Sequence, residues 1–306
     1  MIQVSNLSKS YKNIQAVDNI SFEIYDGEIF GLLGPNGAGK STTLNMLSTL
    51  LKSDTGSIQI NGVEVGENIQ QSKQFIGVVP QEISLYEDLS AEQNLLFWGN
   101  LYGIPKKDLK ARINTTLELI GLSDRKKDLI KTYSGGMKRR INIAAALLHE
   151  PKVLLMDEPT VGIDPQSRNH IFEVIEKLNS QGMTIIYTTH YMEEVERLCD
   201  RIAIIDSGKI IAQGTQSELT ALVNGKESMQ LEFKYLTDSK AEQFQNKLAY
   251  QVQYKENSLI LESNTVDLSK VIAICNELEL EIINIQMNKV NLESIFLSLT
   301  GKQLRD

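Results

Sequence analysis

The run Gly34-Pro35-Asn36-Gly37-Ala38-Gly39-Lys40-Ser41 fits the pattern G-x-x-x-x-G-K-[ST]. It follows five apolar residues of strand length, Ile29 to Leu33, and opens a stretch of helical period over residues 40–50. Glycines at 34, 37 and 39 let the backbone curl so that successive N–H groups face one point, reinforced by the positive end of the following helix dipole. Such a loop cradles phosphate. Lys40 adds a point charge at the β- and γ-phosphates, Ser41 offers a hydroxyl to Mg2+, which prefers oxygen ligands, and Thr42 adds a weaker phosphate contact. A nucleoside triphosphate with Mg2+ is the predicted ligand.

A second cluster supplies the chemistry to break such a molecule. The hydrophobic run 153–156 ends in Asp157, at the carboxyl end of a strand, where ligands bind in open α/β sheets. Asp157 suits a water-mediated hold on Mg2+. Glu158 follows at once and has a different task, polarising the water that attacks the γ-phosphate in line. His190, after the apolar run 184–188, stands where an imidazole can bond the γ-phosphate and orient that water. Gln81, at the end of the run 77–80, is unremarkable by itself.

These residues need a scaffold. From residue 2 to about 215, strand-length apolar runs (29–33, 153–156, 184–187, 202–205) alternate with stretches of helical period, the pattern of an α/β domain with a largely parallel, buried sheet. Between about 81 and 150 the strands give way to helices, including 91–102 and 109–120, which predicts a helical subdomain inserted into the sheet domain. The first domain is expected over 1–222. By turn content the best linker is Val223-Asn224-Gly225-Lys226. A second domain over 226–306 reads strand, helix, two strands joined near Glu256-Asn257, helix, strand, a βαββαβ series that predicts a small ferredoxin-like α+β layer.

Bulk composition narrows the partners. The 306 residues are 42% hydrophobic with a formal net charge of −8, so a nucleic-acid partner gains no general electrostatic support. The two cysteines, Cys199 and Cys275, lack metal-ligand spacing and suit packing in a reducing compartment. The apolar run 143–148 is far short of the roughly 20 residues that cross a bilayer, and the polar N-terminus offers no signal-peptide core. A cytoplasmic location is expected.

The segment Tyr133-Ser134-Gly135-Gly136-Met137 is one that phosphate-loop ATPases in general lack, and it resembles the ABC signature. The order of the 34–41 loop, Gln81, Ser134-Gly135-Gly136, Asp157-Glu158, Asp164 and His190 is similar to the full ABC ATPase set over roughly residues 1–215. The resemblance implies an ATPase whose two subunits, expected as a homodimer, sandwich two ATP molecules head to tail, so that each loop meets the other subunit's Ser134, Gly135 and Gly136. Local physics agrees, since Ser134 can cap the helix that follows and leave N–H groups for an anion. It also implies that Tyr11 stacks on adenine, the alternative being a sheet-edge tyrosine. Gln81 would touch Mg2+ or the attacking water and hinge the helical subdomain, and Asp164 would sense the opposite site. The signature departs from the commonest pattern at Tyr133 and Met137, at the loss of one side-chain amide.

The variant Tyr-Ser-Gly-Gly-Met-Lys-Arg-Arg, the single cassette and the ending Asn291-Leu292-Glu293-Ser294-Ile295-Phe296 resemble the type 2 exporter branch, including daunorubicin-resistance ATPases. That implies a separately encoded membrane permease, with this chain peripheral on the inner face of the plasma membrane. Leu85, Tyr86, Leu89, Phe97 and Trp98 read as a docking surface for the permease, the alternative being that Leu95, Phe97 or Trp98 is core. Lys138-Arg139-Arg140 reads as a solvated helix face. The rival function is a soluble ABC ATPase acting on ribosomes or DNA, which usually resembles tandem cassettes or carries long coiled-coil insertions.

Overall fold

The computed structural model describes residues 1–66, 69–222, 227–248, 251–263, 267–288 and 291–300. The expected linker, residues 223–226, lies outside them. Two compact units divide the chain between Gln216 and Ser217.

In the first unit the elements run β1 Ile2–Tyr11, β2 Ile14–Ile24, β3 Ile29–Leu33, α1 Lys40–Leu47, β4 Thr55–Ile60, β5 Val63–Glu64, α2 Ile69–Phe75 and β6 Ile76–Val79. The helices α3 Ala91–Leu101, α4 Lys106–Leu119 and α5 Gly135–Leu147 follow without a strand between them, as the sequence leads one to expect of 81–150. Then come β7 Val153–Asp157, α6 Pro165–Ser180, β8 Thr184–Thr189, α7 Met192–Leu198, β9 Arg201–Asp206, β10 Lys209–Gly214 and, at the division, α8 Gln216–Leu222.

The central sheet has the order β10-β9-β3-β8-β7-β6, parallel except for β10. All five residues of β3 are buried, because a central parallel strand is covered on both faces. The two faces follow the period of two: Leu154 and Met156 pack with α3 to α6, whereas Val153 and Leu155 pack with α1 and the N-terminal strands. Those strands make a separate antiparallel sheet, order β2-β1-β4-β5, that the alternation of runs along the chain does not announce. Phe22 of β2 and Phe30 of β3 stack with ring centroids 5.3 Å apart, joining the two sheets.

The second unit holds β11 Glu227–Phe233, α9 Asp238–Asn246, β12 Gln251–Lys255, β13 Ser258–Ser263, α10 Leu268–Glu277, β14 Ile282–Asn288 and α11 Leu292–Thr300. Its antiparallel sheet has the order β12-β13-β11-β14, the ferredoxin-like arrangement expected from the βαββαβ series. Met229, Leu231, Leu259 and Leu261 share one sheet face and pack with Ala241 and Phe244 of α9 and Val271 and Cys275 of α10.

Candidate active site

Because β3, β8, β7 and β6 are parallel neighbours, their carboxyl ends open at one edge, and each delivers one part of the site. The register sets Leu33 beside Thr189, Asp157 beside Thr188, and Val79 beside Met156. The loop 34–39, Asp157-Glu158, His190 and Gln81 therefore converge although they are up to 156 positions apart in sequence, from Gly34 to His190.

The loop's glycines differ in purpose. Gly37 and Gly39 have φ of 81° and 108°, in the left-handed region that favours glycine. Gly34 is not in that region; a Cβ there would lie 2.2 Å from the Ile205 carbonyl oxygen, so close approach to β9 requires it. Lys40 is buried at 4% exposure, and its Nζ donates to the carbonyl oxygens of Gly34 at 2.8 Å and Pro35 at 3.1 Å. The same Nζ lies 3.0 Å from Glu158 Oε1.

Glu158 is held in an unusual backbone. Its φ is +43°, rare for a residue with a side chain and costing of order 1–2 kcal/mol. Pro159 disfavours the right-handed helical region for the residue before it, and the Glu158 N–H donates to Thr188 O at 3.2 Å and Thr188 Oγ1 at 3.0 Å. These restraints turn the carboxylate toward the loop. Gln81 Nε2 donates to Glu158 Oε2 at 3.4 Å, and His190 Nδ1 stands 3.4 Å from that oxygen without hydrogen-bond geometry. The His190 ring packs on Tyr191 at 4.1 Å between centroids.

Asp157 Oδ1 accepts from Ser41 Oγ at 3.1 Å and from Thr188 Oγ1 at 2.7 Å. A hydroxyl and a carboxylate, with no nitrogen or sulfur donor, fit a hard oxygen-seeking cation such as Mg2+. The Gln81 side chain makes its described hydrogen bond to Glu158, not to this pair. Thr188, which holds both acids, carries no signal in the sequence beyond its place in an apolar run.

The remaining predicted residues lie on other elements. Tyr11 ends β1 and is 45% exposed. Ser134 is the N-cap of α5, its Oγ accepting from Met137 N at 3.2 Å. Asp164 is the N-cap of α6, accepting from Ser167 N at 2.9 Å, and that backbone hydrogen bond lowers its pKa below the usual carboxylate value. Packing alone requires glycine at 136: a Cβ there would lie 2.2 Å from Ser167 Cβ, so α5 and α6 meet only with glycine at this position.

The structure corrects the reading of the charged triplet 138–140. Arg139 is not on a solvated face; it is buried, and its guanidinium donates from Nη1 to Pro80 O and from Nη2 to Gln81 O, each at 2.5 Å. It thus ties the signature helix to the Gln81 turn, and burial lowers its pKa. Arg140 Nη1 likewise donates to Ile120 O at 2.8 Å. A charged helix triplet reads as solvated until the element covering it is known. Of the apolar set, Leu95 is core, whereas Tyr86 and Phe97 are exposed and pair edge to face at 4.9 Å. Both cysteines are free, and burial pushes the Cys275 thiol up to about 11 and raises the Cys199 thiol as well.

A phosphate loop, a metal-suited hydroxyl and carboxylate, and an adjacent second carboxylate at the mouth of a parallel sheet define a nucleoside triphosphate hydrolase. Comparison narrows the class. A family profile described as ABC transporter matches residues 17–161. The chain is 48% identical over 312 residues to the linearmycin resistance ATP-binding protein LnrL of Bacillus subtilis, covering all of both chains. It is 35% identical over 311 residues to the daunorubicin/doxorubicin resistance ATP-binding protein DrrA of Streptomyces peucetius, covering 100% of this chain and 94% of that one. The dimeric, ADP- and Pi-bound structure of the ATP-binding cassette MJ0796 superposes with a TM-score of 0.64 at 26% identity, over 70% of this chain and 98% of the cassette. The chain belongs to the ABC transporter family, as an ATP-binding, ATP-hydrolysing subunit of the type 2 exporter branch that includes the daunorubicin-resistance ATPases.

Proposed function

We propose that this chain binds ATP with Mg2+ on the 34–41 loop and hydrolyses it as a head-to-tail homodimer that powers export through a separate membrane permease. The observation that carries the reading is the convergence of Lys40, Gln81 and His190 on the Glu158 carboxylate, at 3.0, 3.4 and 3.4 Å. Glu158 accepts the proton of the attacking water, and Gln81 and His190 fix where that water and the γ-phosphate stand. Ser41 and Asp157 would hold a magnesium ion, which would supply positive charge to neutralise the phosphates. Lys40 and the loop N–H groups hold the phosphates, and Tyr11 stacks on the adenine.

Ser134 caps a 13-residue helix that Gly135 and Gly136 begin, and across a dimer their donors face the partner's γ-phosphate, with Asp164 beside them. ATP then acts as the adhesive and hydrolysis as the release. A groove of about 480 Å³, lined by Pro80, Ser84, Trp98 and Tyr102 among others, supports docking of the permease beside the Gln81 turn. No helix among the described residues is long and apolar enough to cross a membrane, and in this reading a separate permease supplies the path. The chain then sits at the inner face of the plasma membrane.

The test is co-purification of a Glu158→Gln variant from membranes with ATP present. A polytopic permease in the complex is the expected result. Ribosomes, or no membrane partner, would overturn the transport reading in favour of a soluble ABC ATPase.

A further inference from the structure

Beside the site lies a carboxylate that the hydrolysis scheme does not use. Glu194 of α7 is 1% exposed. Its Oε1 accepts from Thr160 Oγ1 at 2.6 Å, and its Oε2 accepts from Tyr187 Oη at 2.9 Å and from Thr189 Oγ1 at 2.8 Å. Thr160 Oγ1 and Tyr187 Oη are also 3.4 Å apart, and Thr189 Oγ1 accepts from Tyr191 N at 2.9 Å. The nearest described cation is Arg168 of α6, with Nη1 4.0 Å from Oε1.

The partners' positions matter more than their number. Thr160 stands two residues after Glu158, in the turn that leads to Asp164, and Thr189 immediately precedes His190. Tyr187 comes from β8, the strand that ends in Thr189. One buried carboxylate therefore grips the turn after the base through one oxygen and the end of β8, which leads into His190, through the other. Burying a charge is costly, and it is tolerated where several hydrogen bonds satisfy it, here three hydroxyl donors. Burial first, and then the charge of Glu194, raise the Tyr187 phenol well above its usual value, so it stays a donor. An apolar side chain of similar volume would fill this space without burying a charge but would take away the acceptor of the Thr160, Tyr187 and Thr189 hydroxyls, so packing alone does not account for a glutamate.

We propose that Glu194 is a positioning residue that holds the Glu158 turn and the His190 turn in one register, so that base and γ-phosphate contact act on the same water. The inference rests on the assignment of Glu158 and His190 made above. Near-attack geometry is sensitive to displacements of about 1 Å, which cost on the order of 10²-fold in rate. Loss of the carboxylate should therefore appear in kcat, while the phosphate loop, to which it makes no described hydrogen bond, keeps its affinity for ATP.

The experiment uses the full-length chain and measures steady-state ATPase kcat and KM, binding of a fluorescent ATP analogue, and thermal unfolding. Glu194→Gln, close in size, is expected to lower kcat about 10-fold or more with KM and nucleotide affinity within about twofold. Thr160→Val should lower kcat in the same direction, and Thr160→Ser, which restores the hydroxyl donor, should recover it. In the Glu158→Gln background, Glu194→Gln should lower residual turnover less than in the wild type, because one of the two groups it positions has been removed. Wild-type kcat in Glu194→Gln, equal loss in both backgrounds, or a Thr160→Ser no better than Thr160→Val would overturn the proposal. Failure of the base assignment would show separately, as wild-type turnover in Glu158→Gln alone. If Glu194→Gln does not fold, the Thr160 pair decides the matter by itself.

Discussion

Replacing Glu158 with Gln tests stability and catalysis in one molecule. Both side chains of the Lys40 and Glu158 pair are nearly inaccessible, at 4% and 7%, and the pair is 3.0 Å apart. Removing one partner of a buried pair costs about 3–5 kcal/mol when the other is left uncompensated. Here Lys40 keeps its bonds to the Gly34 and Pro35 carbonyls, so a loss of about 2 kcal/mol is expected. For a unit of this size that is ~6 °C in the unfolding midpoint. ATP reverses the deficit, because its phosphates supply the negative charge that Lys40 has lost, and a ligand that binds only the folded state stabilises it. Catalysis moves independently: losing a general base costs about 10²–10⁴-fold, or ~3–5 kcal/mol of barrier. Glutamine still offers an oxygen near Gln81, so the site keeps its shape.

The assays are thermal unfolding with and without saturating ATP, nucleotide titration, and phosphate release. Expected are a lowered midpoint without nucleotide, a larger ATP-induced rise than in the wild type, unweakened ATP affinity and very slow turnover. Turnover at the wild-type rate would refute the assignment of the base. A deficit that persists undiminished at saturating ATP would refute the account of Lys40 passing between carboxylate and phosphate.

Lys40→Ala should weaken ATP binding about 10–100-fold, the worth of a charge-assisted contact, as measured by calorimetry, because it removes phosphate charge and not water activation. Gly136→Ala drives a Cβ to 2.2 Å from that of Ser167 and should destabilise the ATPase unit by ~1–3 kcal/mol in denaturant unfolding, with partial recovery on adding Ser167→Gly. His149, whose Nε2 bonds Ile76 O at 2.9 Å, has its pKa lowered below 6.5, chiefly by burial. The fold thus favours neutral imidazole: stability from this group is complete above pH 6.5 and is lost as pH falls through the lowered value. Unfolding midpoints across about pH 5–8 should therefore drop on the acid side, and His149→Gln should flatten that limb.

The linear order of residues is enough to determine the phosphate loop, the Asp157-Glu158 pair, the signature and the ferredoxin-like βαββαβ series. Each is local. A phosphate cradle is made by consecutive N–H groups at a strand-to-helix turn, and a carboxylate at a strand's end is placed by the strand itself, so neighbours along the chain carry the information. The three-helix insertion is legible for the same reason, from the change in period.

Tertiary structure alone decides what depends on distant partners. The antiparallel sheet of β1, β2, β4 and β5 pairs strands whose intervening segment enters the other sheet, so no periodicity marks it. Arg139 becomes a buried clasp on the Pro80 and Gln81 carbonyls only because the end of β6 packs on α5, 58 residues away. Gly136 looks like part of an anion site, yet Ser167 of α6 forbids a side chain there as well. Glu194 is one acid among several in the run Met192–Leu198, and nothing local separates it from Glu193 or Glu196. What separates it is a direction in space: it faces inward, where three hydroxyls, one from the turn after β7 and two from β8, meet it, and the cost of burying a charge can be offset only by partners that folding brings together.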